Sequence, residues 1–514
     1  MTSPSKLPAH EVESAGRAED ENNSAGNVPP SLLPSDESEY QELEKKLVRK
    51  IDWRLMPVLV VMIVLNYLDR QALPNARIQG INDDLGLVGD EYNVAISVLF
   101  AGYIALQIPS NMILTRVRPS VYLPLCMALW GAVSACTAAV KDFHGLVACR
   151  FFLGFLEAPF FPGALFLLSA WYTPKELATR TAVLYTGSLL SSAFGGLVGA
   201  GVQYGLDGVR GLHAWQWLFV IEGSATVFLS LCSIFLLPDF PATTRWLSER
   251  ERAVARDRLH RHSGFQDEER GPVLRGIRLA LADYKVWLLT AVVITKTTAA
   301  AVTSFIPTLV ATFEFSSVQS LLLTAPPYVF AAAVAMAVSI SSDRHAERYF
   351  HLVGPLCVGM VGYIVAASTT TLAPRYFSLF LMLGGVYGSF NVTYAWISST
   401  IPRPLEKRAA AFAFANMVGN FAQIYSPYMY DKSSGPRYLP AMTADTVFVF
   451  ASVCFATALR LCLARENRAL DALEGGARRE EAEAGGDLKK HDDDIVQEGR
   501  AGPLVLSYGF RYTL

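Results

Sequence analysis

Twelve apolar stretches of roughly membrane-spanning length alternate with short polar breaks along the middle of the chain. They lie near 55–74, 92–115, 121–140, 146–171, 181–204, 215–237, 286–312, 319–341, 350–369, 375–399, 409–430 and 443–464. A helix needs about 20 apolar residues to cross the hydrocarbon core of a bilayer, and it satisfies its own backbone groups while doing so. The pattern therefore predicts twelve spanning helices, spans 1 to 12 in chain order. A long polar stretch, Pro238 to Lys285, separates the first six from the last six. The expected fold class is an all-α polytopic membrane protein built as two six-helix halves. Its divisions are a disordered N-terminal tail over 1–50, a first half over 51–238, a central loop over 239–284, a second half over 285–465 and a C-terminal tail over 466–514.

An even number of spans returns both termini to one face. The short-loop residues Arg116, Arg118, Lys175, Arg180, Arg344, Arg348, Arg403, Lys407 and Arg408 fall on that same face, together with the basic segment Lys45 to Arg54. Excess Lys and Arg marks the cytoplasmic side, so both termini are expected in the cytosol. Composition agrees with the membrane reading: 52% of the residues are hydrophobic and 18% charged, with mean hydropathy +0.29. The net charge of −2 averages two sides of a membrane and identifies no partner. The first fifty residues hold no apolar run, so a cleaved signal peptide is not expected. Seven cysteines without CxxC or zinc-ligand spacing predict packing rather than a metal site. Eight histidines in tails, loops or span ends argue against a histidine proton relay. No nucleotide-binding loop or catalytic triad points to an enzyme.

Charges inside the spans carry the chemistry. Asp69 and Arg70 stand about two-thirds of the way through span 1, and Arg150 and Glu157 lie in span 4. An ionisable side chain at bilayer depth is costly unless it faces a polar cavity or a partner. At about 1.5 Å per residue, Asp69 and Arg70 lie roughly 20 Å from the cytoplasmic end of span 1. Arg150 and Glu157 lie roughly 6 and 16 Å from the opposite end of span 4. Spans 1 and 4 can thus line one cavity. A guanidinium offers a planar fork matched to a carboxylate, which suits Arg70 to anchoring an anion. Proton uptake by Asp69 or Glu157 would change how far each Arg is neutralised and so couple anion binding to protonation. The alternative is a pair of static buried ion bridges.

Other residues are placed by the same arithmetic. Tyr67 and Tyr103 are expected either to donate into the cavity or to pack. Gln107, Asn391, Asn416, Asn420 and Gln423 are further polar candidates, with Asn416 the second-half contact favoured. Glu222 reads as structural. Lys296, about ten residues into span 7, is too deep to snorkel and is expected to face the cavity as an added cation; the alternatives are a partner such as Glu314 or a shifted span boundary. Glycines along span 5 and prolines in spans 4 and 8 suit halves that rock about a central site.

The motifs Asn66-Tyr67-Leu68-Asp69-Arg70, Asn75-Ala76-Arg77-Ile78, Gln107-Ile108-Pro109-Ser110-Asn111 and Arg150-Phe151-Phe152-Leu153-Gly154 recur in order, followed by Glu157-Ala158 and Pro162-Gly163. Further on come Trp215-Gln216-Trp217-Leu218-Phe219 with Glu222-Gly223, Leu237-Pro238-Asp239-Phe240-Pro241, Pro402-Arg403-Pro404 with Lys407-Arg408, and Tyr425-Ser426-Pro427-Tyr428. On these the chain resembles the anion:cation symporter family of the major facilitator superfamily, in particular its fungal allantoate-, nicotinate- and pantothenate-type permeases, from about Asp52 to Arg465. The resemblance implies the major facilitator fold and proton-coupled uptake of a small organic anion by alternating access. It implies protonation at Asp69 and Glu157, a substrate carboxylate on Arg70, and an acid network supported by Arg150. The superfamily's charged loop between spans 2 and 3 keeps its base here as Arg116 but lacks the acid. Its counterpart Asp343-Arg344, with Arg348, predicts a gating latch in the second half, or plain positive-inside anchoring. The expected partners are a small anion, protons and lipid, without nucleic acid, in a monomer. No cofactor is expected, and the proton gradient supplies the energy. The plasma membrane is the expected location, a vacuolar or other endomembrane the alternative. A metabolite or drug efflux carrier of the same superfamily and a non-transporting nutrient receptor are the alternative functions.

Overall fold

A computed structural model describes residues 36–114, 117–241, 244, 246–263, 273–401, 404–483, 495–499, 502–506 and 511–513. Twelve spans are present among the described residues. In the first half these are Glu37–Ile78, Glu91–Leu114, Pro119–Cys136, the broken pair Phe143–Glu157 and Phe160–Trp171, Pro174–Gly205 and Ala214–Leu236. In the second half, span 7 runs as Tyr284–Ala299, a 3₁₀ stretch Ala300–Phe305, and Ile306–Ala311. Spans 8 and 9 are Ser317–His345 and Tyr349–Ser368; span 10 is Leu372–Gly388 followed by Phe390–Thr400. Spans 11 and 12 are Leu405–Tyr425 and Leu439–Glu483. One antiparallel hairpin, Ile495–Gly499 with Gly502–Leu506, is the exception to an all-helical chain among the described residues.

Nine of the described helical segments are long and apolar enough to cross a membrane by themselves. Spans 10 and 11 fall outside that set. Span 10 is interrupted at Ser389, and span 11 turns Asn416, Asn420 and Gln423 toward a cavity. Polarity at those positions lowers the hydropathy of the helices that line the interior.

Among the described residues, parts of the tails and of the central loop are helical. The helix of span 1 begins at Glu37, inside the stretch read as a disordered tail, because Asp36 caps it and Tyr40 and Leu47 are buried. The central loop contains the helices Glu249–Ser263 and Val273–Ala282. The first is stitched to span 1 by Lys50–Glu251 at 2.8 Å and by Arg250–Glu39 at 2.6 Å. Arg258, fully buried, donates to the Trp171 carbonyl at 2.5 Å and to Glu176 at 3.2 Å, and Trp246 stacks on Trp171 with centroids 5.6 Å apart. At the other end of the chain the helix of span 12 runs on to Glu483. Beyond it Tyr512 is buried: its hydroxyl accepts from Lys285 at 3.2 Å, and its backbone N–H donates to Asn467 at 2.9 Å. These contacts define a connector face; the other end of the bundle is the far face.

The first half is packed tightly around its charges. A Cβ added at Gly154 would lie 1.8 Å from the Leu99 carbonyl oxygen, so spans 2 and 4 touch backbone to backbone there, one turn before Glu157. The two halves meet near the far face. Gly196 of span 5 lies against span 8, where an added Cβ would come within 2.3 Å of Thr324 Oγ1 and 2.8 Å of the Leu321 carbonyl oxygen.

Candidate substrate and proton site

A cavity of about 180 Å³ lies between the halves, lined by Tyr67, Arg70, Tyr103 and Arg150 from the first and by Tyr387, Phe390, Tyr394 and Asn416 from the second. That is room for a small organic solute rather than for one or two waters. Arg70 is its charged centrepiece. Its Nε donates to Glu157 Oε2 at 2.5 Å, and the Tyr67 and Tyr103 ring centres lie 5.3 and 5.0 Å from the guanidinium. Span 1 carries Tyr67 and Arg70 three residues apart on one face, while the close contact at Gly154 brings Glu157 to them. The Arg70 side chain keeps 17% of its surface exposed and Glu157 none, so the base faces the cavity and the acid stands behind it. Such a guanidinium, with the two tyrosine rings beside it, can take a planar carboxylate.

Asp69 is adjacent in sequence and lies elsewhere. It is fully buried and absent from the cavity wall. Its carboxylate accepts from Ser134 Oγ at 2.7 Å, Thr226 Oγ1 at 3.0 Å and Trp130 Nε1 at 3.2 Å, which places it between spans 1, 3 and 6. Neighbouring helical residues point about 100° apart, so Asp69 and Arg70 cannot share one surface. Arg150 is 2% exposed and packs over Phe219 at 5.5 Å. Its Nε and Nη2 have no hydrogen-bond partner among the described residues.

On the far side the cavity is closed. Arg77 lies 4.2 Å from the centre of the Tyr92 ring and donates to Thr308 of span 7 at 3.4 Å. Tyr92 meets Phe305 edge-on, and Phe305 stacks flat on Tyr430 at 4.3 Å. The Tyr430 hydroxyl donates to the buried Asp445 at 2.5 Å. This run of side chains joins the first half to the second across the far end.

The sequence profile of the Major Facilitator Superfamily matches residues 59–427. The chain belongs to the Major Facilitator Superfamily. Relatives within it include the MFS-type transporter cnsO of Penicillium expansum, 33% identical over 77% of this chain and 78% of the relative. The major facilitator-type transporter hxnP of Emericella nidulans is 32% identical over 84% and 88%. A candidate tartrate transporter of Agrobacterium vitis is 31% identical over 76% and 88%. Among solved structures, a bacterial homolog of the human lysosomal transporter Spinster, inward-facing and unoccupied, superposes with TM-score 0.62 at 16% identity, over 79% of this chain and 95% of that one. That likeness concerns the fold alone. The chain is a multi-pass membrane transporter.

Within this facilitator cavity the predicted residues separate. Arg70, Tyr67, Tyr103, Arg150 and Asn416 line it; Asn391, Asn420 and Gln423 do too. Asn416 Oδ1 accepts from the Tyr394 hydroxyl at 3.5 Å. Lys296, expected to face the cavity, is fully buried one layer behind the wall. Its Nζ donates to Thr393 at 2.8 Å and sits 4.5 Å from the centre of the Phe390 ring, which screens it from the cavity. No carboxylate, Glu314 included, is within ion-pairing distance of it among the described residues. Of the gating residues, Asp343 and Arg348 pair at 2.6 Å within the turn between spans 8 and 9, Arg344 is exposed beside them, and Arg116 lies outside the described residues. Tyr185, Tyr387, Phe390 and Tyr394 were not singled out from the sequence. Their signal was there: Tyr387, Phe390, Asn391 and Tyr394 recur at i, i+3, i+4 and i+7, one face of span 10.

Proposed function

We propose that the protein is a proton-coupled symporter of a small organic anion, a vitamin-like or nitrogen-containing carboxylate, belonging to the anion:cation symporter branch and taking its substrate up by alternating access. The observation that carries this reading is the Arg70–Glu157 pair, 2.5 Å apart, with the base on the cavity wall and the acid buried behind it. In its resting form the pair is neutral. A substrate carboxylate arriving at Arg70 would make the site one charge negative in a poorly solvated interior, which is costly. A proton on Glu157 removes that excess and frees the guanidinium fork for the substrate, so one proton enters the site with each anion. The tyrosines beside Arg70 supply hydroxyl donors for the remaining lone pairs of the ligand. Asp69, caged away from the cavity, is the second protonation site, and Arg150 is within electrostatic reach of both acids.

The connector face carries the basic segments and is the cytoplasmic one in this reading, so the closure at Arg77 and Tyr92 is the outer gate. The Agrobacterium relative, named for a dicarboxylate, supports an acid as substrate. No cofactor is used; the proton gradient drives accumulation, across the plasma membrane. The test is uptake by proteoliposomes of labelled nicotinate, pantothenate, allantoate and tartrate under an imposed pH gradient. Accumulation of at least one of them, lost when the gradient is collapsed, supports the reading. Transport of a neutral or cationic metabolite that is indifferent to all four acids contradicts it.

A further inference from the structure

Glu222 is a buried acid that the mechanism above leaves unused. It lies in span 6 at 1% exposure, and neither of its carboxylate oxygens has a hydrogen-bond partner among the described residues. The charged groups that reach it are Asp69 from span 1 and Arg150 from span 4. Span 3, packed along span 6, has no charged residue in Pro119–Cys136, and span 5 has none beyond Arg180. An ionised carboxylate without a donor, inside a membrane bundle, is among the costliest arrangements a protein can hold. A carboxyl that carries a proton avoids that cost.

Its level in the bundle gives the proton a use. Thr226 fixes span 6 against Asp69 by the 3.0 Å bond from its hydroxyl. Glu222 is one turn earlier on the same face of a helix that begins at the far end, about 6 Å nearer the far face than Asp69. Arg150 enters span 4 at nearly the same depth, seven residues after Phe143 as Glu222 is eight after Ala214. Asp69 is cut off from the cavity, and the far gate is shut by Arg77, Tyr92 and Phe305. A proton bound for Asp69 therefore needs a path inside the first half that does not pass the substrate.

We infer that Glu222 is a proton-carrying residue of this transporter, a relay that passes protons between the far face and Asp69 along the interface of spans 1, 3 and 6. The step balances simply. The Glu222 carboxylic acid gives its proton to the Asp69 carboxylate through the Thr226 hydroxyl or a water, becomes a carboxylate facing Arg150, and is reprotonated from the far side. The unbonded Nε and Nη2 of Arg150 are the donors that would hold Glu222 while it is charged. The inference rests on Asp69 being a protonation site, as proposed above, and adds the route.

Infrared spectroscopy on the purified full-length transporter tests it without a known substrate. Across a pH titration, one protonated-carboxyl C=O band is expected to vanish in Glu222→Gln and a different one in Asp69→Asn. On transfer to D₂O the Asp69 band should exchange at least about tenfold more slowly in Glu222→Gln than in the unmutated protein. A spectrum from which Glu222→Gln removes no band overturns the inference, and so does an Asp69 band that exchanges at the unmutated rate. Should the Gln variant not fold, Glu222→Asp keeps the carboxyl one methylene shorter and must shift the assigned band; an unshifted band overturns the inference as well. An Asp69 that never holds a proton overturns both this relay and the coupling role of Asp69. Failure of pH-driven uptake with both bands present and exchange slowed overturns only the transport reading.

Discussion

At the scale of single residues, the geometry around Arg70 decides how an anion would be held. Lys in its place keeps the charge but loses the fork and the Nε that meets Glu157. Arg70→Lys is expected to lower the ratio of maximal uptake to KM by about a hundredfold, corresponding to about 2.7 kcal/mol, with membrane abundance unchanged on quantitative blotting. Glu157→Gln mimics the protonated acid and cannot cycle, so it should abolish uphill accumulation while counterflow at equal pH persists. If this variant still concentrates substrate under a pH gradient, the coupling proton is not carried by Glu157. Lys296 is a different case. Its ammonium adds positive potential through the Phe390 ring but cannot touch a ligand there, so Lys296→Gln should raise KM by less than about tenfold and leave maximal uptake near normal. A loss as deep as that of Arg70→Lys would mean that span 10 moves aside and exposes the lysine during transport.

At the scale of elements, the spans were legible because about 20 apolar residues leave few other fates. The meeting of Arg70 and Glu157 was legible because charge at that depth demands a reason, while Tyr67 and Tyr103 stood open between the cavity and packing. Three things were hidden, each for a physical cause. Asp69 was grouped with Arg70 by adjacency, whereas a helix turns them to different surfaces. Lys296 was placed by depth alone, and depth does not tell which neighbour, here the broken span 10 with Phe390 and Thr393, stands before it. The helical start of span 1 reads as a polar tail because its order comes from contacts made with the connector more than 190 residues away. That contact gives a prediction of its own. Burial raises the acidity constant exponent of Glu251, but the hydrogen bonds from Lys50 and Ser248 outweigh it and hold the carboxyl below its ordinary value. A lowered carboxyl stabilises the docked form above its ordinary pKa of about 4.3 and loses that contribution as pH falls through the lowered value. Protease cleavage of the connector should accordingly accelerate in acid below that range and stay flat above it. Arg258→Ala, which strips a buried guanidinium from the Trp171 carbonyl and Glu176, should accelerate cleavage at neutral pH, consistent with a loss of about 3–5 kcal/mol for a broken buried pair.

At the scale of the whole molecule, two six-helix halves meet at a far-side seam that must open if the cavity is to be reached from both faces. Gly196 sits in that seam with no space for a side chain against Thr324 and Leu321. Gly196→Val should force the halves apart there, raising the labelling rate of a cysteine placed at Thr308 by a membrane-impermeant thiol reagent; unchanged labelling would place the hinge elsewhere. The central claim is that an organic anion and a proton cross together through the site of Arg70 and Glu157. The most direct measurement is the reversal potential of transport in proteoliposomes, set by opposing a gradient of the accumulated acid against a pH gradient. The account predicts that flux stops at a finite pH gradient that balances the acid gradient, and that Glu157→Gln proteoliposomes equilibrate the acid whatever the pH difference. Flux of the unmutated protein that stops only when the acid concentrations are equal, regardless of pH, would contradict it.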